Sequence, residues 1–380
     1  MAAGTQIPAT LRILIVGGGI AGLGLCRALL QEGVVPDIIE RLASWPSGGT
    51  GLYIPGNGVR ALAALGLADQ VLARAVRMSH QRLLDHTGRQ LAEIELAQMW
   101  GGVGPCVGIA RGELHRVLLE STGGVPVRLG TSLTALSQHD DKVHVVFTDG
   151  ATGRYDLVVG ADGIHSLVRR LLGGHIPPRH LGQVSWRFLV DFSGAIDTWT
   201  AMLGPGRAFL AMPVGPNRLY CYADLATFAT GDPTEGNLAR FRALFGDFAE
   251  PAPSILVELD GFDAIHFAPI EEIALDSWGH GRVLLIGDAA HATSPNMAEG
   301  ASMAIEDALV LARMLRTHGS PEESVSAFVE RRRACIRWVQ QRTHRRDRVR
   351  RLPAPHRNLA LEIWGARLYR GDYQPLLDEP

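Results

Sequence analysis

Glycines and one acidic residue near the N-terminus have the spacing that a dinucleotide-binding loop requires. Gly17, Gly19 and Gly22 satisfy the pattern GxGxxG, and Glu40 lies 18 residues beyond Gly22. Such glycines permit a tight turn, a close approach of the backbone to a pyrophosphate, and close packing of a helix on a strand. A carboxylate at the position of Glu40 accepts hydrogen bonds from a ribose and repels a 2'-phosphate, so the pattern predicts FAD or NAD rather than NADP. The residues predicted to contact the dinucleotide here are Gly17, Gly19, Ile20, Ala21, Gly22 and Glu40.

The elements around this loop must place it at the end of a strand. Leu11–Val16 is a short apolar run of the kind that is buried on both faces in a parallel sheet. The segment 20–31 is predicted to be a helix, and 34–40 a second strand. This complete strand–helix–strand unit favours nucleotide binding over the alternative that the glycines only pack a strand against a helix.

Two later motifs decide between the dinucleotides. Residues 156–169 contain the pattern DGxxSxVR beginning at Asp162, and residues 287–302 read GDAAHATSPNMAEGAS. With these motifs the chain resembles the FAD-dependent monooxygenases of the para-hydroxybenzoate hydroxylase type, the group A flavoprotein hydroxylases. The three motifs occur in the order and at the spacing of that family, from about Arg12 to Leu315. The resemblance implies that the bound dinucleotide is FAD.

The resemblance assigns flavin contacts to the third motif. It implies that Asp288 holds the ribityl chain, and that Gly300, Ala301 and Ser302 place backbone N–H groups against the N1 and O2 edge of the flavin. A helix beginning near Ala301 agrees with this role, because the positive end of a helix stabilises negative charge. His291, in the same motif, is interpreted as a structural residue satisfied by hydrogen bonds rather than as a base.

Further contacts are implied elsewhere in the chain. Asp162 and Arg169 match a motif that serves both FAD and NAD(P)H, Arg111 matches a position that reaches the FAD phosphates, and Arg41 resembles an adenosine contact. Each also has a structural alternative, such as a turn at Asp162 or a surface cation at Arg111. Weaker positions that line FAD are matched by Thr50, Gly51 and Leu133.

The implied reaction needs no assigned protein acid or base. In this family NAD(P)H reduces the flavin, O2 adds at flavin C4a, and the hydroperoxide transfers one oxygen atom to the substrate. The chain has no second GxGxxG, so NAD(P)H is expected to bind only transiently. We therefore expect a monooxygenase that hydroxylates or epoxidises an aromatic or polycyclic small molecule.

Other functions on the same fold remain as alternatives. A halogenase is disfavoured because none of the seven tryptophans lies in a WxWxIP motif. A related reductase shares the motifs and is harder to exclude. A binding protein without catalysis, resembling the GDP dissociation inhibitors, is disfavoured by the intact glycine and GDAAH motifs.

The expected fold is α/β with a discontinuous Rossmann-like FAD-binding domain. We predict its first part at 1–173 and its return at 277–320, an inserted antiparallel β-sheet substrate domain at 174–276, and C-terminal helices at 321–380. A hairpin around Thr87 and Gly88 falls within the first part.

The inserted sheet is the expected wall and lid of the substrate pocket. Alternation along 218–224 puts Tyr220, Tyr222 and Asp224 on one face and Leu219, Cys221 and Ala223 on the other. Ordinary core packing is the alternative for each aromatic residue. The candidate substrate contacts are Trp186, Phe209, Met212, Tyr220, Tyr222 and Pro295.

Composition limits the partners. Of the residues, 46% are hydrophobic and 20% charged, as in an average globular protein, and the net charge of −2 gives no general reason to bind nucleic acid. The basic run 331–351 is interpreted as a solvated helix face or oligomer contact. Four scattered cysteines show no metal-ligand spacing, so no metal is predicted. No signal or membrane segment is evident, and we expect a cytoplasmic monomer or homodimer.

Overall fold

The computed structural model describes residues 7–8, 10–45, 49–173 and 176–380. The first part of the chain contains β1 (Ile13–Val16), α1 (Ile20–Gln31), β2 (Asp37–Ile39), β3 (Gly51–Ile54), α2 (Gly56–Ala64), α3 (Ala68–Leu72), β4 (Val76–Met78), β5 (His80–Asp85), β6 (Gln90–Glu95), α4 (Ala97–Trp100), β7 (Cys106–Ala110) and α5 (Arg111–Glu120). The middle part contains β8 (Val127–Arg128), β9 (Leu133–His139), β10 (Lys142–Phe147), β11 (Thr152–Tyr155), β12 (Leu157–Gly160), α6 (Leu167–Gly173), β13 (Arg179–Asp191), β14 (Trp199–Gly204), β15 (Arg207–Gly215), β16 (Arg218–Ala226), α7 (Leu238–Leu244) and α8 (Ala252–Val257). The last part contains β17 (His266–Glu272), β18 (Gly279–His280), β19 (Val283–Leu285), α9 (Asp288–His291), α10 (Gly300–Thr317), α11 (Pro321–Arg350) and α12 (Ala354–Tyr373).

A six-stranded sheet with the order β18-β19-β12-β1-β2-β8 forms the centre of the first domain. Strand β1 pairs in parallel with β2 and β12, and β12 pairs in parallel with β19. All four residues of β1 and all four of β12 are buried, as expected for strands covered on both faces. Because the parallel strands end at the same edge, the segments that follow β1, β12 and β19 meet there. These segments carry the three motifs, and the predicted α/β fold is confirmed.

A second sheet of seven strands has the order β17-β13-β16-β15-β14-β5-β6. Its pairs are antiparallel except for β14 with β5. The predicted insertion supplies five of these strands, and the hairpin β5–β6 supplies the other two. That hairpin lies within the part of the sequence assigned to the FAD-binding domain, so the second sheet is not confined to the insertion. The predicted first residue of the insertion, 174, lies outside the described residues.

One face of the seven-stranded sheet packs on an aromatic core. Phe188 on β13 and Phe209 on β15 meet Phe241 of α7 and Phe245, which follows that helix, with ring centroids 5.5–6.5 Å apart. The opposite face is turned toward the first domain. The sheet therefore separates a closed hydrophobic core from a face that is free to line a site.

The predicted C-terminal helices are present as α11 and α12. Ser320 is the N-cap of α11: its side chain accepts a hydrogen bond from the backbone N–H of Glu323. Pro321 occupies the first turn. Helix α11 packs on α10, and α12 packs on β6. In the part of the chain that the structure describes, no helix is both long and apolar enough to cross a membrane.

Candidate active site

A cavity of about 720 Å3 lies between the carboxyl edge of the six-stranded sheet and the free face of the seven-stranded sheet. Residues after β1, β12 and β19 line one side, and residues of β5, β14, β15 and β16 line the other. Helices α10, α11 and α12 also contribute to the wall. The cavity therefore joins the three sequence motifs to the predicted substrate sheet.

The glycine loop has the geometry of an anion-binding turn. Gly17 has φ +114°, and a Cβ there would lie 2.4 Å from the carbonyl oxygen of Ala161. A Cβ at Gly22 would lie 1.9 Å from the carbonyl oxygen of Gly17, whereas one at Gly19 would meet nothing within 4 Å. Gly17 and Gly22 are thus needed for packing, while Gly19 faces open space. Helix α1 has no side-chain cap and no acidic residue in its first turn, which leaves its N–H groups available to a phosphate.

The carboxylate of Glu40 lies beside this loop. It accepts hydrogen bonds from the backbone N–H groups of Gly18 at 2.8 Å and Leu42 at 2.9 Å. Each carboxylate oxygen has a second lone pair, so both can still accept from ribose hydroxyls. His115, which the sequence analysis did not select, bonds the carbonyl oxygen of Gly18 at 2.9 Å, and the ring of Trp45 packs on it with centroids 4.8 Å apart. The only sequence signal for this contact is that His115 lies one helical turn after Arg111, a predicted FAD contact, and so shares its side of α5.

The turn at Gly287 and Asp288, which begins the third motif and is called the GD turn below, is held against α10 by a buried polar network. Asp307 accepts hydrogen bonds from the backbone N–H of Gly287 at 2.9 Å and from Arg332 at 2.8 Å, and it bonds His291 at 2.7 Å. Burial raises the pKa of Asp307, but His291 and Arg332 outweigh burial and lower that pKa to about 2. Gly287 has φ +57°, and a Cβ there would lie 3.0 Å from Ala21. The bond to Asp307 agrees with the interpretation of His291 as a structural residue that is satisfied by hydrogen bonds.

The predicted flavin contacts of this region mostly reach the cavity. Asp288, Gly300 and Ala301 line it, whereas Ser302 is fully buried behind it. Helix α10 has neither a side-chain cap nor an acidic residue in its first turn. Gly300 and Ala301, at the positive end of this helix, therefore face the cavity.

The DGxxSxVR motif at Asp162–Arg169, called the DG motif below, has one residue that lines the cavity and one that is buried outside it. Asp162 lines the cavity, and its carboxylate accepts hydrogen bonds from the N–H groups of Leu167 at 2.7 Å and Val168 at 3.1 Å, at the start of α6. Arg169 is buried outside the cavity wall and donates to the carbonyl oxygen of Ala289 at 2.9 Å. Arg169 thus links the DG motif to the GD turn rather than facing the cavity.

Most of the weaker predictions also line the cavity, with one exception. Arg41, Thr50, Gly51 and Arg111 are on its wall. Leu133 is not, because its side chain is buried in the core of the first domain. The adjacent residues Thr131 and Ser132 line the cavity instead, so the prediction for Leu133 was wrong about which residue of this segment faces the site.

The substrate candidates are separated by strand alternation. Met212, Tyr220, Tyr222 and Pro295 line the cavity, and so does Asp224. Trp186 and Phe209 do not: both pair with Ala223 across the sheet and share its face, which is the aromatic core. The prediction that these two contact the substrate is corrected. Arg187, next to Trp186 in the sequence, lines the cavity and was missed.

The basic C-terminal segment is a solvated helix face only in part: Arg331 and Arg348 are exposed, but other arginines face inward. Arg332 is fully buried, and the cavity wall includes Arg345, Arg346 and Arg350. Arg346 donates to the carboxylate of Asp372 at 2.8 Å. Burial lowers the pKa of Arg346, but Tyr373 and Asp372 outweigh burial and raise it above its ordinary value. Carboxylates contributed by distant parts of the chain make this inward orientation stable, and the sequence pattern does not show them.

The match to known families agrees with this geometry. The family model described as FAD binding domain matches residues 10–343, which is most of the chain. The chain belongs to the FAD-dependent monooxygenase family. Its relatives include 2-heptyl-3-hydroxy-4(1H)-quinolone synthase of Pseudomonas aeruginosa, 32% identical over 339 residues and 87% of each chain. Aurachin C monooxygenase/isomerase of Stigmatella aurantiaca is 34% identical over 315 residues and 80% of each chain.

The monooxygenase fold also matches solved structures. The crystal structure of Klebsiella pneumoniae HpxO complexed with FAD and uric acid has a TM-score of 0.89 and 27% identity, over 97% of each chain. The residues of the present monooxygenase fit FAD, since the open space at Gly19, the free lone pairs of Glu40 and the uncapped start of α10 all face one cavity. FAD is the cofactor of this enzyme.

Proposed function

We propose that the monooxygenase uses NAD(P)H and O2 to hydroxylate or epoxidise an aromatic small molecule that carries an acidic group and an apolar portion. The observation that carries this proposal is the division of the cavity face of the seven-stranded sheet. Its charged and phenolic residues lie on β13 and β16, and its aliphatic residues lie on β5, β6, β14 and β15.

The charged part centres on Arg187. Its guanidinium lies 5.9 Å from the ring centroid of Tyr222, and its buried Nε has no hydrogen-bond partner among the described residues. The hydroxyl of Tyr222 is also buried without a partner there. A half-buried cation and a phenol whose buried polar atoms are both unsatisfied favour a ligand that supplies acceptor oxygens. A carboxylate or an acidic ring hydroxyl of the substrate meets this requirement.

The apolar part is a separate hydrophobic cluster of the structure. Leu203 and Ala208 of the sheet pack with Leu361 of α12, and Leu83 packs against them. All four also line the cavity. Their aliphatic surface favours burial of an alkyl chain or an additional ring, by roughly 25 cal/mol for each Å2 removed from water.

The chemistry itself belongs to the cofactor. When bound, FAD takes two electrons from the nicotinamide and passes one oxygen atom of O2 to the substrate. The protein binds and orients both partners and excludes water through the sheet and α12. The quinolone relative supports an aromatic substrate with an apolar portion, because its name states a heptyl group on a quinolone ring.

The experiment is a screen of aromatic acids and hydroxy-heterocycles, with and without alkyl chains, for compounds that accelerate NAD(P)H oxidation. We expect the accelerating compound to consume NAD(P)H and O2 one for one, and to contain one oxygen atom from labelled O2 as judged by mass spectrometry. A reduced product without the label would favour a reductase, and a halide in the product would favour a halogenase. Acceleration by neutral apolar compounds alone would contradict the proposed acidic group.

A further inference from the structure

A buried carboxyl group lies immediately before the start of α10. Glu299 precedes Gly300 in the sequence and is 1% exposed. Its Oε2 accepts a hydrogen bond from the Nδ2 of Asn57 at 3.0 Å, and the same amide nitrogen donates to the Oε1 of Glu306 at 3.1 Å. Asn57 therefore bridges two buried carboxyl groups. Of the two residues, Glu299 is the one that directly precedes Gly300, which lines the cavity.

The two carboxyl groups differ in their charge partners. Glu306 forms an ion pair with Arg332 at 2.9 Å, and Arg332 also donates to Asp307 and to the carbonyl oxygen of Met303. Within the described residues, Glu299 has no ion pair, and its Oε1 has no hydrogen-bond partner. An isolated carboxylate is costly to bury, so this environment favours the neutral acid. Burial raises the pKa of Glu299 to about 8, although Asn57 acts in the opposite direction.

Buried polar groups with unused acceptor capacity lie on β3, α2 and α10, of which α2 and α10 adjoin Glu299 through Asn57 and Gly300. The Oδ1 of Asn57, the hydroxyl of Ser302 and the hydroxyl of Tyr53 are buried and have no partner in the part of the chain that the structure describes. Ser302 packs against Gly58, which follows Asn57: a Cβ at Gly58 would lie 2.4 Å from the Ser302 Oγ. A carboxylic acid has an O–H to donate to such acceptors, directly or through water, whereas a carboxylate has none.

We propose that Glu299 is held as a neutral carboxylic acid behind the start of α10, and that its ionisation weakens the preference of this site for reduced over oxidised FAD. The uncapped start of the helix carries about half a positive charge, which favours the electron-rich edge of the reduced flavin. A carboxylate one residue before the helix offsets that charge. Glu299 is thus a positioning residue that acts through the N–H groups of Gly300 and Ala301. The proposal rests on FAD binding and not on the proposed substrate.

Groups on several elements face Glu299 and set its ionisation. Glu306 raises its pKa, whereas the arginines lower it, and Glu299 in turn acts on the thiols and a phenol nearby. These groups are Asn57 of α2, Cys106 of β7, Glu306 of α10, Arg332, Cys335 and Arg346 of α11, and Tyr373 of α12.

The first test is infrared spectroscopy of the wild-type holoenzyme between pH 5 and pH 10. We expect a protonated-carboxyl band that disappears near pH 8 and that is absent from Glu299→Gln at every pH. The wild-type titration needs no variant, so it is informative even if the variant folds poorly. Absence of the band at pH 6 in wild type would overturn the proposal.

The second test is the reduction potential of bound FAD in wild type and Glu299→Gln, measured by spectroelectrochemistry. Glutamine keeps the shape and the hydrogen bond to Asn57 but cannot ionise. We expect equal potentials at pH 6, and at pH 9 a potential in the variant that is higher by about 30 mV, which is a tenfold difference in relative affinity for reduced FAD. Glu299→Asp keeps an ionisable group and should retain the pH dependence. A difference between wild type and Glu299→Gln that is constant from pH 6 to pH 9 would show a purely structural role.

The same ionisation has a consequence for stability. The pKa of Glu299 is raised in the folded enzyme, so its stabilising contribution is present at low pH and is lost as pH rises from about 4.5 toward 8. The thermal unfolding temperature of the wild-type holoenzyme should therefore fall relative to that of Glu299→Gln over this range. Parallel curves for the two proteins would contradict the proposal independently of any turnover measurement.

Discussion

The guanidinium of Arg350, at the end of α11, donates a hydrogen bond to the carboxylate of Asp224 on β16, across 126 residues of sequence. Asp224 is fully buried, and the side chain of Arg350 is 18% exposed. Burial lowers the pKa of Arg350, but Asp224 outweighs burial and raises it. The pair joins the C-terminal helices to the cavity face of the seven-stranded sheet. An element read as a surface helix is thereby part of the wall of the active site.

Replacement of Arg350 by methionine should leave the Asp224 carboxylate buried without its cation. We expect the free energy of unfolding to fall by about 3–5 kcal/mol. The double variant Arg350→Met/Asp224→Asn should recover part of this loss, because no unpaired charge remains. Chemical denaturation followed by tryptophan fluorescence measures both. The control is Arg218→Ala, which removes an exposed pair with Asp191 on the same sheet and should cost about 0–1 kcal/mol. A loss for Arg350→Met no larger than that of the control would refute the prediction.

Replacement of Arg187 by alanine should weaken binding of an acidic substrate. A hydrogen bond to a charged group contributes about 1.5–3 kcal/mol, so KM should rise roughly 10- to 100-fold with little change in kcat. Arg187→Lys keeps the charge and should recover part of the affinity. Steady-state kinetics with an acidic substrate and its neutral analogue provides the check. Equal losses for both compounds would mean that Arg187 does not recognise the acidic group.

Two glycines of the nucleotide loop should respond differently to the same change. Gly19→Ala places a methyl group in open space, so the fold should remain intact while FAD affinity falls, because the cofactor needs that space. Gly22→Ala places a Cβ 1.9 Å from the carbonyl oxygen of Gly17, so the fold itself should be destabilised. Circular dichroism and flavin content after dialysis distinguish the outcomes. Full retention of flavin by Gly19→Ala would place the cofactor elsewhere.

The network of Asp307 should make stability depend on acid pH. The pKa of Asp307 is lowered to about 2, so its stabilising contribution is present above the ordinary value of 3.8 and is lost as pH falls from 3.8 toward 2. Asp307→Asn should be less stable than wild type at pH 6, and the difference should shrink at lower pH. Thermal unfolding between pH 2 and pH 6 measures it. Asp149→Asn, at an exposed pair with Arg128, is the control and should show little effect. A constant difference for Asp307→Asn would count against this explanation.

Enlargement of Ala208 should narrow the aliphatic part of the cavity. Ala208 pairs with Leu203 across β15 and β14, and both line the cavity. Ala208→Phe should reduce kcat/KM for a substrate with a long alkyl chain by roughly tenfold or more, because overpacking costs about 1–3 kcal/mol. A short-chain analogue should be affected much less. Equal losses for long and short chains would mean that the alkyl group does not lie against Ala208.

Most of the FAD-binding site was predicted from residues that lie close together in the sequence. The GxGxxG pattern, Glu40, the apolar strands and the DG and GD motifs are each encoded within a few tens of residues, and the structure brings them to one edge of a sheet. Alternation along β16 correctly separated Tyr220, Tyr222 and Asp224 from the core-facing residues, because side chains of a strand alternate regardless of its partners.

Only the tertiary structure decided which neighbours meet across the chain. The pairing of β13 in the sheet places Arg187, rather than Trp186, on the face that lines the cavity. Pairing of β14 with β5 makes the hairpin β5–β6 part of the second sheet. Arg346 and Arg350 of α11 face the cavity because they bind the carboxylates of Asp372 and Asp224 on other elements. Packing of α2, α10 and α11 buries Glu299. Sequence periodicity specifies that a strand has two faces, but the identity of the buried face and the charge partner of a side chain depend on residues of other elements. These lie 26 positions away for Arg346 and Asp372, and 126 positions away for Arg350 and Asp224.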